Sequence, residues 1–257
     1  MKVTPIPCRT DNYAYLVVCQ ETNQAGVVDP TDAPPVIAEV EKSGVDLTAI
    51  LNTHHHHDHI GGNNELLERW PGLVVYGHQS DKGRIDGQTR FMDTGDTFTL
   101  GALEVRTLHN PGHTTGGISY VIEDAVFTGD TMFAAGCGRL FEGTPEMMYT
   151  SLCKVIGALP EQTKVYFGHE YTEANLRFAA HAEPGNGHIA ERLARVREMR
   201  AAGKFTTPST LAEEWLTNPF MRVDAPGIHK TVKQNDPDND LSPANVLAVV
   251  RAMKDRF

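Results

Sequence analysis

Through the first two thirds of the chain, short apolar runs alternate with glycine, proline and small polar residues. Runs of this length, rich in Val, Ile, Tyr and Phe and bounded by turn formers, predict β-strands at 13–19, 25–29, 49–51, 74–76, 97–100, 103–108, 118–122, 125–128 and 164–167. A three-to-four residue period takes over at 33–43, 63–70 and 145–159 and predicts helices there. The last of these has a legible start, with Thr144 placed to cap it and Pro145 at its first position. After about residue 170 the pattern becomes helical throughout, at 171–183, 187–202, 210–217 and 243–255, and Ser242-Pro243 again reads as a cap followed by proline. Strands mixed with helices, then helices alone, predict an α/β domain over 1–170 followed by a helical domain over 171–257.

Composition narrows the function classes. A chain of 257 residues with 40% hydrophobic residues can fill a core, and its formal net charge of −10 argues against a nucleic-acid partner, which calls for a basic face. No stretch approaches the length of a membrane span, and the opening MKVTPIPCRT lacks the apolar centre of a signal peptide. Cys8, Cys19, Cys137 and Cys153 are far apart and form no CxxC pair, which fits free thiols. The expected address is the cytoplasm. The acidic stretch at 235–240 lacks the glycine and downstream glutamate of a calcium loop and reads as a solvated turn.

One segment changes the picture. Residues 53–62 read THHHHDHIGG, an internal tract too short and too interrupted for a purification tag. Neighbouring side chains of an extended segment diverge, so His54 and His56 point one way, and His55 and His57 elsewhere. Asp58 and His59 follow as the chain turns towards a helix, giving an HxHxDH pattern that suits metal ions. A coordination sphere then needs further ligands, each expected at the end of a strand beside a turn. His113 in NPGHTTG, Asp130 in FTGD and His169 in FGHE meet that requirement. His78 is the main rival, while His109, His181, His188 and His229 read as ordinary polar positions.

The motifs THHHHDH, PGHT, FTGDT and GHEY, in this order, resemble the metallo-β-lactamase fold, an αββα sandwich. The loop AGCGRLFEGT at 135–144 and NPFMR at 218–222 more narrowly resemble glyoxalase II, the hydroxyacylglutathione hydrolases, and the likeness extends into the small C-terminal helical domain. The resemblance implies two divalent ions per chain, zinc foremost, with iron or manganese as the other choices. His54, His56 and His113 would hold one, Asp58, His59 and His169 the other, and Asp130 would bridge them. It also implies a metal-bridging hydroxide as nucleophile, with no separate side-chain base, acting on the carbonyl of S-D-lactoylglutathione and related 2-hydroxyacyl thioesters. Arg139, Tyr171, Arg251 and Lys254 match the family's substrate contacts, and Phe141 stands where some relatives carry tyrosine. His57 and Gly117 likewise replace a frequent tryptophan and histidine. The resemblance implies a small-molecule glutathione thioester as partner and a monomer. A mononuclear iron persulfide dioxygenase of the same fold is the alternative.

Overall fold

Strand β2, Asn12–Val18, is buried at every position, so it must be covered on both faces. The computed structural model describes residues 1–257 and shows how. With β1 (Lys2–Cys8), β3 (Gln24–Val28), β4 (Asp46–Leu51), β5 (Val74–His78) and β6 (Arg90–Met92), β2 forms a sheet ordered β1-β2-β3-β4-β5-β6. The first three strands pair antiparallel and the rest parallel. Parallel neighbours need crossovers: α1 (Ala33–Ser43) joins β3 to β4, α2 (His57–Ile60) and α3 (Asn63–Arg69) join β4 to β5, and a segment with one 3-10 turn, Gln79–Asp81, joins β5 to β6. The period-two alternation of β2 sends Ala14, Leu16 and Val18 into one apolar cluster with Val36 and Val40 of α1 and Leu66 of α3. Full burial of each such Leu or Val contributes roughly 1.5–3 kcal/mol.

The other face of β2 meets a second sheet. Strands β7 (Thr97–Leu100), β8 (Leu103–His109), β9 (Ile118–Ile122) and β10 (Ala125–Gly129) form an antiparallel meander, with Tyr166 and Phe167 alongside β10. Tyr15 of the first sheet packs edge-on against Phe127 and Tyr166 of the second, with ring centroids 5.6 and 5.2 Å away, and Tyr76 stacks on Phe98 at 3.8 Å. These elements belong to one of two compact units, residues 1–109, 116–129 and 166–169.

The other unit comprises residues 110–115, 130–165 and 170–257. It holds the hairpin β11 (Met132–Phe133) and β12 (Gly136–Cys137), and helix α4 (Pro145–Tyr149). Lys164 and Val165 of strand β13 (Lys164–Phe167) pair with Thr210 and Ser209 of β14 (Ser209–Thr210). Helices α5 (Thr172–Ala182), α6 (Gly187–Ala201), α7 (Leu211–Thr217), α8 (Pro226–Asn235) and α9 (Pro243–Arg256) follow. A buried ion pair, Arg192 to Glu214 at 2.8 Å, anchors the helices to the hairpin, because Glu214 also accepts from the Ala135 backbone N–H at 2.7 Å.

Thr144 accepts from the Met147 N–H, and Pro145 opens α4, but the α-helix ends at Tyr149. A π-helical stretch, Thr150–Val155, and a 3-10 turn, Ile156–Ala158, continue the segment. Among the elements that lie outside the periodic reading are β1, β6 and α8. β1 carries Pro5 and Pro7, which cannot donate to a ladder, and it survives as an edge strand. β6 is only three residues long. α8 begins at Pro226 and buries Ile228, Thr231 and Val232 at helical spacing. The acidic turn caps α9, with Asp240 accepting from Ser242 N and Asn245 Nδ2, both at 2.9 Å, while the Ser242 side chain makes no cap bond.

Candidate metal centre

The histidine tract starts just after β4 and runs through α2, which holds His57, Asp58 and His59. His56 is the extended residue before α2, at φ −61° and ψ 141°. The backbone therefore sends alternate rings to opposite sides. His54 Nε2 lies 3.1 Å from His56 Nδ1, and His59 brings its ring to 4.1 Å from that of His54. His55 turns away to Asp81, 3.3 Å from its carboxylate, and to the Arg84 guanidinium at 2.5 Å. His57 meets Arg9 at 3.3 Å.

A second group forms around Asp58. One ligand atom each from Asp58, His59 and His169 lies within 4.8 Å of the others, with Asp58 Oδ2 at 3.3 Å from His169 Nε2 and 3.8 Å from His59 Nε2. Asp58 is aimed by Asn12, whose Nδ2 donates to its Oδ2 at 3.2 Å and to its carbonyl at 3.0 Å, and by the Thr31 hydroxyl, which donates to that carbonyl at 2.6 Å.

What faces the opposite nitrogen of each ring decides its chemistry. His59 Nδ1 donates to Asp29 and His169 Nδ1 to Asp11, both at 2.9 Å. Thr53 donates its hydroxyl to Asp29 at 2.6 Å, so that oxygen is free to accept from His54 Nδ1 at 3.0 Å. Acceptors at Nδ1 fix the proton there and leave the Nε2 lone pair for an ion. Asp29 is the node of this arrangement: it is 2% exposed and also accepts from the Thr53 backbone N–H at 2.7 Å.

In the second unit, His113 Nε2 lies 3.6 Å from Asp130 Oδ2, and His113 Nδ1 donates to the Arg139 carbonyl at 2.8 Å, the same tautomer lock. Gly138 donates its N–H to the Asp130 carbonyl at 2.9 Å, and a Cβ at Gly138 would lie 2.3 Å from that oxygen and 2.7 Å from His113 Nδ1. The chain reaches Asp130 through Gly129, at φ +49°, where a Cβ would come within 2.1 Å of Thr53 Oγ1. Imidazole nitrogens with locked tautomers and carboxylate oxygens beside them fit divalent first-row ions.

A cavity of about 410 Å³ in the second unit is lined by Arg139, Phe141, Ala248, Arg251 and Asp255. Three of the expected substrate residues thus share it. Tyr171 packs edge-on against Phe133, and Lys254 extends over the rings of Phe178 and Phe257, so neither lines it. Burial, with Arg251 and Arg177 nearby, pulls the Lys254 pKa down to about 8. Arg251 is itself committed: it donates to the Cys137 carbonyl at 2.9 Å, pairs with Asp255 at 3.1 Å and lies over the Phe220 ring.

His78, the rival, is buried at the end of β5 and stacks on His109, away from these groups. Burial pushes its pKa down, and His109 adds to the effect. The sequence reading missed Asp11, Asn12, Asp29, Thr31 and Asp81. A signal existed for Asp29, which closes the 25–29 run as Asp130 closes FTGD.

The profile described as "Metallo-beta-lactamase superfamily" matches residues 9–169, and "Hydroxyacylglutathione hydrolase C-terminus" matches 170–257. The chain is 47% identical to "Hydroxyacylglutathione hydrolase cytoplasmic" of Arabidopsis thaliana, over 100% of this chain and 99% of that one. It is 46% identical to a hydroxyacylglutathione hydrolase of Synechococcus sp. (strain JA-3-3Ab), over 100% of both. Among solved structures, ETHE1 from Myxococcus xanthus superposes with a TM-score of 0.65 at 27% identity, covering 99% of this chain and 98% of that one. No helix is long and apolar enough to cross a membrane.

Proposed function

This chain belongs to the hydroxyacylglutathione hydrolase family of the metallo-β-lactamase superfamily, and from that premise we propose that it hydrolyses S-D-lactoylglutathione and related 2-hydroxyacylglutathione thioesters. The products are glutathione and the free 2-hydroxy acid, the closing reaction of methylglyoxal detoxification. The observation that carries this reading is the set of acceptors at Nδ1 of His54, His59, His169 and His113, which prepares four imidazoles as ligands within a chain matching the family from end to end.

The proposed ligands are His54, His56 and His113 for one ion and Asp58, His59 and His169 for the other, with Asp130 shared. Zinc is the first choice and iron or manganese the others, since this donor set accepts all three. Two divalent ions held there would supply a hydroxide near neutral pH and Lewis acidity for the thioester carbonyl. The protein's part is to hold geometry. Asp29, Asp11, Thr53 and the Arg139 carbonyl keep the ring protons on Nδ1, and Asn12 and Thr31 aim Asp58. No side chain is needed as general base.

For the substrate, Arg139 and Arg251 offer cations to the glutathione carboxylates, and Phe141 offers an apolar ring in place of a phenol. Tyr171 and Lys254 complete the proposed contacts. Residues 1–170 form the proposed catalytic domain and 171–257 the substrate-binding one. A monomer in the cytoplasm completes the proposal, the address supported by the name of the Arabidopsis thaliana relative.

The alternative, a mononuclear iron persulfide dioxygenase, leaves the Asp58, His59 and His169 group without a purpose. Thiol release from S-D-lactoylglutathione, measured beside oxygen uptake from glutathione persulfide, separates the two. Hydrolysis without oxygen uptake is expected, and the reverse would discard the thioesterase.

A further inference from the structure

A separate cluster of metal-ligating side chains lies in the first unit. His78 ends β5, Asp93 follows β6 and His109 ends β8, and one ligand atom from each lies within 4.8 Å of the others. His78 is 4% exposed, and its buried Nε2 has no hydrogen-bond partner. That nitrogen points at Asp93 Oδ1 from 3.7 Å, too far for a hydrogen bond. The ring lies flat on His109, with centroids 3.9 Å apart and planes 6° from parallel. We propose that His78, Asp93 and His109 form a further divalent-cation site, distinct from the centre proposed above, that takes a first-row transition ion such as Zn2+.

The separations come near those an ion needs, and one imidazole must turn out of the 6° stack for the in-plane lone pairs of His78 and His109 to converge on it. Two ligands, each 2.0–2.1 Å from one tetrahedral zinc, are roughly 3.4 Å apart. The 3.7 Å between His78 and Asp93 needs a closure of a few tenths of an ångström to reach that span. Two imidazoles with one carboxylate select zinc, nickel or copper over magnesium or calcium. Asp93 is held for the purpose: its carboxylate accepts from Gln79 Nε2 at 2.6 Å and Thr94 N at 2.7 Å, and its carbonyl accepts from the Thr107 hydroxyl at 2.5 Å. His109 donates its backbone N–H to Thr94 Oγ1 at 2.9 Å, tying the same turn to β8.

Binding requires a tautomer change in His78. Its Nδ1 accepts from the Ser80 N–H at 3.2 Å, which places the ring proton on Nε2. An ion at Nε2 moves that proton to Nδ1, where the Ser80 hydroxyl, 2.7 Å away, can accept it. The ring stays neutral and no proton is released; the cost is the longer bond from the Ser80 N–H. Because β5 and β6 belong to one sheet and β8 to the other, the ion would link the two sheets.

The test is zinc stoichiometry of the full-length protein, dialysed to equilibrium at fixed free Zn2+ up to submillimolar levels, for wild type, Asp93→Asn and His109→Gln. His78→Gln is a poor choice, because losing the Ser80 contacts could unfold the segment. An exposed histidine on α6 serves as control through His188→Gln. Wild type and control should each bind one equivalent more than the two variants, with that equivalent weakened at least roughly tenfold in both, and added Zn2+ should raise the melting midpoint of wild type above theirs. The difference is read directly, whatever ions the histidine tract holds. Equal stoichiometry in all four proteins, with or without an additional ion, overturns the proposal.

Discussion

Asp29 Oδ2 accepts the Nδ1 proton of His59 at 2.9 Å, while the same carboxylate holds Thr53 through both its hydroxyl and its backbone N–H. One buried acid therefore sets the tautomer of His59 directly and of His54 through Thr53. Asp29→Asn puts an amide there that cannot satisfy three donors. The expected result is a fall in metal affinity of about 10–100-fold with activity falling in step, checked by competitive chelator titration. Unchanged affinity in a folded variant would mean that the tether does not tune the ligands.

His55 and His56 are adjacent in sequence and opposite in role. His56→Ala removes a proposed ligand and should yield protein short of metal and nearly inactive. His55→Ala removes one neighbour of Asp81, a carboxylate with 0% exposure that keeps Arg84 at 3.4 Å, and should keep its metal while losing about 0.5–1.5 kcal/mol of stability. Metal counts beside denaturant midpoints check both. Equal metal loss in the two variants would contradict the assignment.

Arg251 is proposed to bind substrate, yet it also holds the Cys137 carbonyl and lies over Phe220. Arg251→Ala should therefore raise KM more than it lowers kcat and also cost about 1–3 kcal/mol of stability. Kinetics beside thermal melting measure the two effects. A large fall in kcat at unchanged KM would place Arg251 in the chemical step.

Lys254 has a folded pKa of about 8, below its ordinary 10.5. Between those values the unfolded chain holds the proton and the folded chain has released it, so the stability contributed by this group rises with pH across that window. Substrate binding runs the opposite way, because the cation is lost above pH 8. The expected kcat/KM declines on the alkaline side with an apparent pKa near 8, and Lys254→Arg should move that limb upward. A flat profile to pH 10 would remove Lys254 from the free enzyme's binding groups.

The proposed ligands were legible because HxHxDH is local, and because His113, Asp130 and His169 each follow an apolar run beside glycine. The acids that set their tautomers were not. Asp29 reaches His59 and Asp11 reaches His169 only after folding, as Asp81 reaches the non-ligand His55, and their local sequence shows turns or a strand end with nothing to name their partners. Periodicity found the strands buried on both faces and the longer helices. It missed β1, where two prolines break the pattern, and α8, whose apolar positions are few. Spacing placed Arg251 and Lys254 on one helical face, yet the packing of Phe178, Phe220 and Phe257 sends them to different surroundings.

The most direct measurement follows thioester loss and thiol release from S-D-lactoylglutathione with protein whose metal content is known, before and after chelation. Stoichiometric hydrolysis by protein carrying two ions at the proposed centre, its loss on chelation and its return with zinc, iron or manganese are expected. Protein with both ions in place and no hydrolysis would contradict the thioesterase reading.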